Sequence, residues 1–201
     1  MSGIRADKRT QLIETALRLF YRQGIHAVGI NEVLKESGIA KKTLYSHFAS
    51  KEELIAATVK YRSGLLLGWM EARLADVSCG KAGIEIIFAA LDDWFNERVE
   101  RLKPFNGCFF INASAEYHSE GCAIFDECKE HKLEIGELLL QQCRAIFDDE
   151  ATAQKLQASL VLLMEGSIIS AHVMRDKEAA LRALETARML IEAQQDALRL
   201  Q

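Results

Sequence analysis

Apolar side chains recur along this chain at intervals of three and four, the spacing that gathers them on one face of an α-helix. Leu12, Ile13, Ala16, Leu17 and Phe20 begin the series and Gly24 stops it, which predicts a first helix from about Asp7 to Gln23. Ile30, Val33 and Leu34 predict a second, short helix ending before Gly38. Glycine there permits the left-handed turn that a helix-turn-helix often uses. A third short helix is predicted over 41–48, with Leu44 and Phe48 four apart and able to pack inward. Ser50, Lys51, Glu52 and Glu53 read as a capping box that opens a fourth helix running towards Leu74.

The helical period continues to the end of the chain. Ser78-Cys79-Gly80 breaks the fourth helix, and Ile84, Ile87, Phe88, Leu91, Trp94 and Phe95 mark a fifth. Pro104 and Gly107 close that segment, and a short apolar helix is predicted over 108–116. Longer helices are predicted over 121–147, 151–174 and 177–198. The expectation is an all-α protein of about nine helices. Residues 1–51 form a three-helix helix-turn-helix head, and 52–201 a helical body.

Composition agrees. One proline and 12 glycines in 201 residues leave too few breakers for an all-β chain, which needs a turn every ~8–12 residues. The five cysteines are scattered and fit free thiols in a reducing, cytoplasmic compartment. No uninterrupted apolar run reaches ~18 residues, so no membrane span is expected. Residues 1–9 are too polar for a signal peptide. No P-loop, G-x-G-x-x-G, H-E-x-x-H or G-x-S-x-G occurs, so neither an enzyme nor a cofactor is expected.

The net charge of −4 argues at first against a nucleic-acid partner. Its distribution reverses that. Residues 1–51 carry nine basic and four acidic side chains, a net +5, and the remainder carries −9. A basic head on an acidic body suits a head that meets phosphate. Lys41, Lys42, Thr43, Tyr45 and His47 are left outside or at the start of the third helix once Leu44 and Phe48 turn inward. Cations, hydroxyls and an imidazole so placed can reach phosphates and base edges in a major groove.

These residues carry a resemblance. Ala16 to Phe20, Gly24, Ile30-Asn31-Glu32-Val33, the run from Ser37 to Phe48, and Ser50 to Leu54 together resemble the DNA-binding head of the TetR family of transcriptional regulators. Ala40 departs from the family pattern where a serine N-cap is common, and Lys42 where a glycine is common. The resemblance implies that Thr43 and Tyr45 meet bases or phosphates, and that His47 and Lys51 bind phosphate. It also implies that Lys41 and Lys42 lie over the groove, with Asn31 as a further contact. It implies a homodimeric repressor on a palindromic double-stranded operator, released by a small-molecule inducer held in the body. Candidate lining residues are Trp69, Met70, Phe88, Trp94, Phe110, Tyr117, Met164 and His172.

The last two helices read as the dimer surface, with Leu160, Met164 and Ile168 on one and Leu184, Arg188 and Ile191 on the other. Gly107-Cys108-Phe109-Phe110 and the residues to Glu116 resemble a segment of a TetR subgroup that includes electrophile- and oxidant-sensing repressors. Cys108 would start a helix, where the dipole favours thiolate, and His172 is a possible cationic partner. Two further expectations stand beside this one. His118, Cys122, Cys128 and His131 fall within fourteen positions and are zinc-compatible types, which suggests a metal-responsive regulator. A Cys108–His118 pair suggests a thiol enzyme.

Overall fold

A computed structural model describes residues 7–119 and 121–200. Residues 1–6, which include Arg5 of the basic head, Glu120 and Gln201 lie outside the described residues, as does most of the segment judged too polar for a signal peptide. Among the described residues there are nine α-helices and no strand: α1 (Lys8–Gln23), α2 (Ile30–Ser37), α3 (Lys41–His47), α4 (Lys51–Leu74), α5 (Lys81–Phe95), α6 (Phe109–Glu116), α7 (Ala123–Arg144), α8 (Glu150–Val173) and α9 (Ala179–Arg199). A single 3₁₀ turn, Glu100–Leu102, follows α5.

The expected boundaries differ from these by three residues at most, except that α5 ends at Phe95 and not near Pro104, and local chemistry explains several differences. Asp149 caps α8 by accepting the Thr152 N–H at 2.9 Å, so that helix starts at Glu150 rather than Ala151. The α4 cap is a variant of the expected box. Ser50 Oγ accepts the Glu53 N–H at 3.2 Å, but Glu53 Oε2 accepts the N–H of Ala49, one residue before the cap, at 2.6 Å.

The chain divides by packing into two compact units. The first comprises residues 1–65 and 108–131, and the second 66–107 and 132–201. This partition follows contacts, whereas a division at residue 51 follows charge and motif.

In the first unit α1 buries Leu12, Ala16, Leu19 and Phe20, and α2 and α3 pack against it through Val33 and Leu44. Phe48, Leu54 and Ile55 extend that core. Each such side chain contributes about 1.5–3 kcal/mol on burial. Gly38 sits at φ 67°, ψ 15°, and its N–H returns to Leu34 O at 3.0 Å. A side chain there would be strained, so glycine sets the angle between α2 and α3.

In the second unit α5, α8 and α9 pack on one another. α5 buries Ile84, Ile87, Phe88 and Leu91, α8 buries Leu156, Leu160, Met164 and Ile168, and α9 buries its alanine-rich side. The side chain of Gln142 occupies the space where a Cβ on Gly83 would stand, and its Oε1 accepts the Gly80 N–H at 3.0 Å. Gly107 (φ 79°) lets the chain pass against the ring of His172, 2.8 Å from where a Cβ would lie.

Among the described residues α8 alone is long and apolar enough by composition to cross a membrane, with a mean hydropathy of 1.4 over eighteen residues, a property that core helices share. Only 33% of that window is buried.

Candidate nucleic-acid interface

α3 is a two-sided helix. Leu44 and the following Phe48 are buried, while Lys41, Lys42, Tyr45 and Ser46 are exposed and Thr43 and His47 half-exposed. Tyr45 is 47% exposed, and the Lys41 ammonium lies 5.9 Å from its ring centre. Asn31 is exposed in the first turn of α2. Ala40 is the N-cap residue of α3, in extended conformation, and contributes no side-chain hydrogen bond. Replacing it with serine is expected to stabilise the head by about 1 kcal/mol, read as a rise in the thermal midpoint, because the hydroxyl accepts an otherwise unmet N–H of the first turn. No gain would mean that the first turn of α3 is already satisfied by other means.

Lys51 is placed otherwise than a free phosphate ligand would be. Its Nζ donates to the Ile25 carbonyl at 2.9 Å and lies 6.0 Å from the Phe20 ring centre. It holds the α1–α2 loop from one side. Glu116, the last residue of α6, holds the same loop from the other. Its two carboxylate oxygens accept the N–H groups of Ile25 at 2.8 Å and His26 at 2.6 Å. Glu116 Oε2 is also 3.0 Å from His26 Nδ1, and the His26 ring stacks on Tyr117 with centres 4.8 Å apart. These charge-assisted bonds tie α6 to the loop that leads into the helix-turn-helix. Sequence reading missed Glu116, since a lone acidic residue at a helix end carries no periodic or motif signal.

The expected inducer-lining residues fall in both units. Phe110 and Tyr117 belong to the first, and Trp69, Met70, Phe88, Trp94, Met164 and His172 to the second. Within the second, Trp94 packs edge-on to Phe105 at 5.0 Å and Phe105 edge-on to His172 at 6.2 Å. Cys108 is the N-cap residue of α6 and is 5% exposed.

Three sets of expected residues need correction. Leu160, Met164, Ile168, Leu184 and Ile191 are buried within their own chain, so they are core and not surface. Arg188 is exposed and pairs with Glu85 on α5 at 2.7 Å. The exposed large apolar positions of the same two helices are Leu162, Ile169 and Val173 on α8, and Leu181, Met189 and Leu198 on α9. The metal expectation also fails, because among the described residues no three His, Cys, Asp or Glu side chains converge to hold an ion. The His131 ring is instead stacked on Phe110, 3.5 Å between centres, with Nδ1 2.9 Å from Ser63 Oγ. Cys108 and His118 flank α6 at opposite ends, ten residues and roughly 15 Å apart by helical rise, too far for a catalytic pair.

Three short helices with an inward apolar seam and an exposed cationic third helix define a helix-turn-helix protein. A family model described as bacterial regulatory proteins of the tetR family matches residues 12–58. The uncharacterized HTH-type transcriptional regulator YxaF of Bacillus subtilis is 48% identical over 58 residues, 28% of this chain and 30% of YxaF. The HTH-type transcriptional repressor KstR2 of Mycobacterium tuberculosis is 33% identical over 71 residues, 35% of this chain and 34% of KstR2. These matches thus span about a third of each relative. Over the whole fold, the TetR-family regulator SCO4454 of Streptomyces coelicolor superposes with a TM-score of 0.82 at 23% identity, covering 92% of this chain and 95% of that one. The reduced form of E. coli NemR gives 0.75 at 21% identity, covering 92% and 97%. Residues 12–58 thus match the tetR family of bacterial regulatory proteins, and the fold of the whole chain is the one shared by these TetR-type regulators.

Proposed function

We propose that this chain is a homodimeric, cytoplasmic repressor that binds a palindromic DNA operator through its first 51 residues and is released by an inducer held in the rest of the chain. The observation that carries the reading is the exposed row of Lys41, Lys42 and Tyr45 on a helix whose other side is locked into the core by Leu44. Thr43 and His47 flank that row, and Asn31 adds a contact from α2. Lys51 keeps two further N–H donors for phosphate while one is held by the Ile25 carbonyl.

A dimer is required because one short recognition helix reads few bases, while two related by symmetry read half-sites about one helical turn apart. Leu162, Gly166, Ile169 and Val173 recur on one face of α8, and Leu181 and Met189 are exposed on α9. A second copy covers this face, which accounts for an apolar helix left largely uncovered in the single chain.

The test is binding to a palindrome selected from random DNA, followed by fluorescence anisotropy across salt concentrations. Affinity is expected to fall steeply with salt. Lys42→Ala should reduce the slope by about 1, and Tyr45→Ala should cost about 1–3 kcal/mol, both in folded protein. A folded dimer with salt-independent or absent DNA binding would overturn the reading.

Release through Cys108 is a second route, favoured by the position of this thiol at the start of the helix that ends in Glu116. Hypochlorite or a quinone is expected to dissociate the wild-type complex and to leave that of Cys108→Ser intact. An equal response from both proteins rules the route out. Cys143 is not a rival, since burial pushes its thiol up to about 12 and keeps it protonated.

A further inference from the structure

Arg62 of α4 lies in the first unit and is only 3% exposed. Its Nε and Nη2 are sealed from solvent and find no acceptor among the described residues. The groups that favour its charge are Tyr21, which hydrogen-bonds it and whose ring centre is 5.1 Å from the guanidinium carbon, and Cys108. Neither is a carboxylate. Burial alone pushes the guanidinium below its ordinary value. A buried ion costs several kcal/mol even after relaxation, so chains pair such groups. Here the two orphaned N–H groups are Nε and Nη2, the adjacent pair that forms one edge of the guanidinium fork and matches the two oxygens of a carboxylate.

The surroundings define what the rest of such an anion would be. Tyr21 meets Phe109 edge-on at 5.9 Å, and Phe109 meets Phe110 at 6.2 Å. Phe110 stacks on His131, which reaches Ser63, the neighbour of Arg62. All belong to one unit. Cys108, close enough to Arg62 to act on its charge, is the N-cap residue of α6 and makes no side-chain cap bond, so the start of that helix is near the same group and leaves its N–H groups uncapped.

We propose that Arg62 anchors an effector site for a small aromatic carboxylate. The carboxylate takes the Nε–Nη2 edge, and its ring packs among Tyr21, Phe109 and Phe110. The proposal rests on the regulator reading above and names the chemical class of its inducer. Occupancy would bear on α6, and through Glu116 on the loop into the head.

The test uses the full chain with benzoate and 2-naphthoate as probes, each beside its uncharged amide, in calorimetry and thermal-shift measurements. At least one carboxylate is expected to bind the wild type ten-fold or more tightly than its amide. Arg62→Met, checked for folding by circular dichroism, should lose that binding. Arg62→Lys keeps charge but not the fork, guards against a fold defect in the methionine variant, and should weaken binding at least ten-fold. Absence of carboxylate binding, equal binding of acid and amide, or binding unchanged in both variants overturns the proposal. The same preparations are assayed on the selected palindrome. Salt-dependent DNA binding without carboxylate binding removes this inference alone, and carboxylate binding without DNA binding removes the regulator reading instead.

Discussion

A chain carrying Leu162→Glu together with Met189→Glu will sediment as a folded monomer and lose its operator. Leu162 is 74% exposed and Met189 68% exposed, so neither change disturbs the core of the second unit. In a dimer both would be covered. A stable interface of this kind buries about 1,200–2,000 Å² in total. Each large apolar side chain in it contributes about 1.5–3 kcal/mol. Two glutamates on each copy forfeit that gain and add the cost of desolvating carboxylates. Four such sites per dimer raise the dissociation constant by more than about a thousandfold at 1.4 kcal/mol per decade. Sedimentation equilibrium reads the mass, and anisotropy on the palindrome reads the second effect. A variant that remains dimeric places the partner surface elsewhere. Leu160→Glu is the informative contrast, since that side chain is fully buried in its own chain and its replacement should unfold the protein.

Glu116→Ala is expected to lower stability by about 2–3 kcal/mol and operator affinity by ten-fold or more. Hydrogen bonds to charged groups contribute about 1.5–3 kcal/mol each, and here two backbone donors lose one acceptor. The loop they belong to is also held by Lys51, which limits the loss of stability but not the loss of position. Glu116→Gln keeps an acceptor without the charge and should recover part of both effects. The measurements are chemical denaturation and the same anisotropy assay. Unchanged DNA affinity in a destabilised Glu116→Ala chain would show that the residue supports the fold alone.

The helices of this protein are legible in its apolar period, and their ends in a few residues with a stated mechanism: Gly24, Gly38, Ser50 and Glu53. The exposed row on α3 is legible for the same reason, since fixing Leu44 and Phe48 inward leaves Lys41, Lys42 and Tyr45 outside. The faces of α8 were harder to separate. That helix is apolar nearly all round, so periodicity offers Leu160, Met164 and Ile168 and Leu162, Ile169 and Val173 equally, and only packing tells core from surface. The metal quartet failed because nearness in sequence is not convergence in space, and His131 already has Phe110 and Ser63 as neighbours. Glu116 and Arg62 were invisible because each owes its meaning to a segment far away in the chain, the Gly24 loop for one and Tyr21 and Cys108 for the other.

The grip of Glu116 falls on two peptide N–H groups, with the His26 imidazole as a third contact. Every residue except proline offers that handle. The two backbone bonds therefore survive a change of side chain at His26, and only the imidazole's contacts with Glu116 and Tyr117 are lost with it. The joint between α6 and the loop therefore depends on the identity of Glu116 more than on that of the residues it holds.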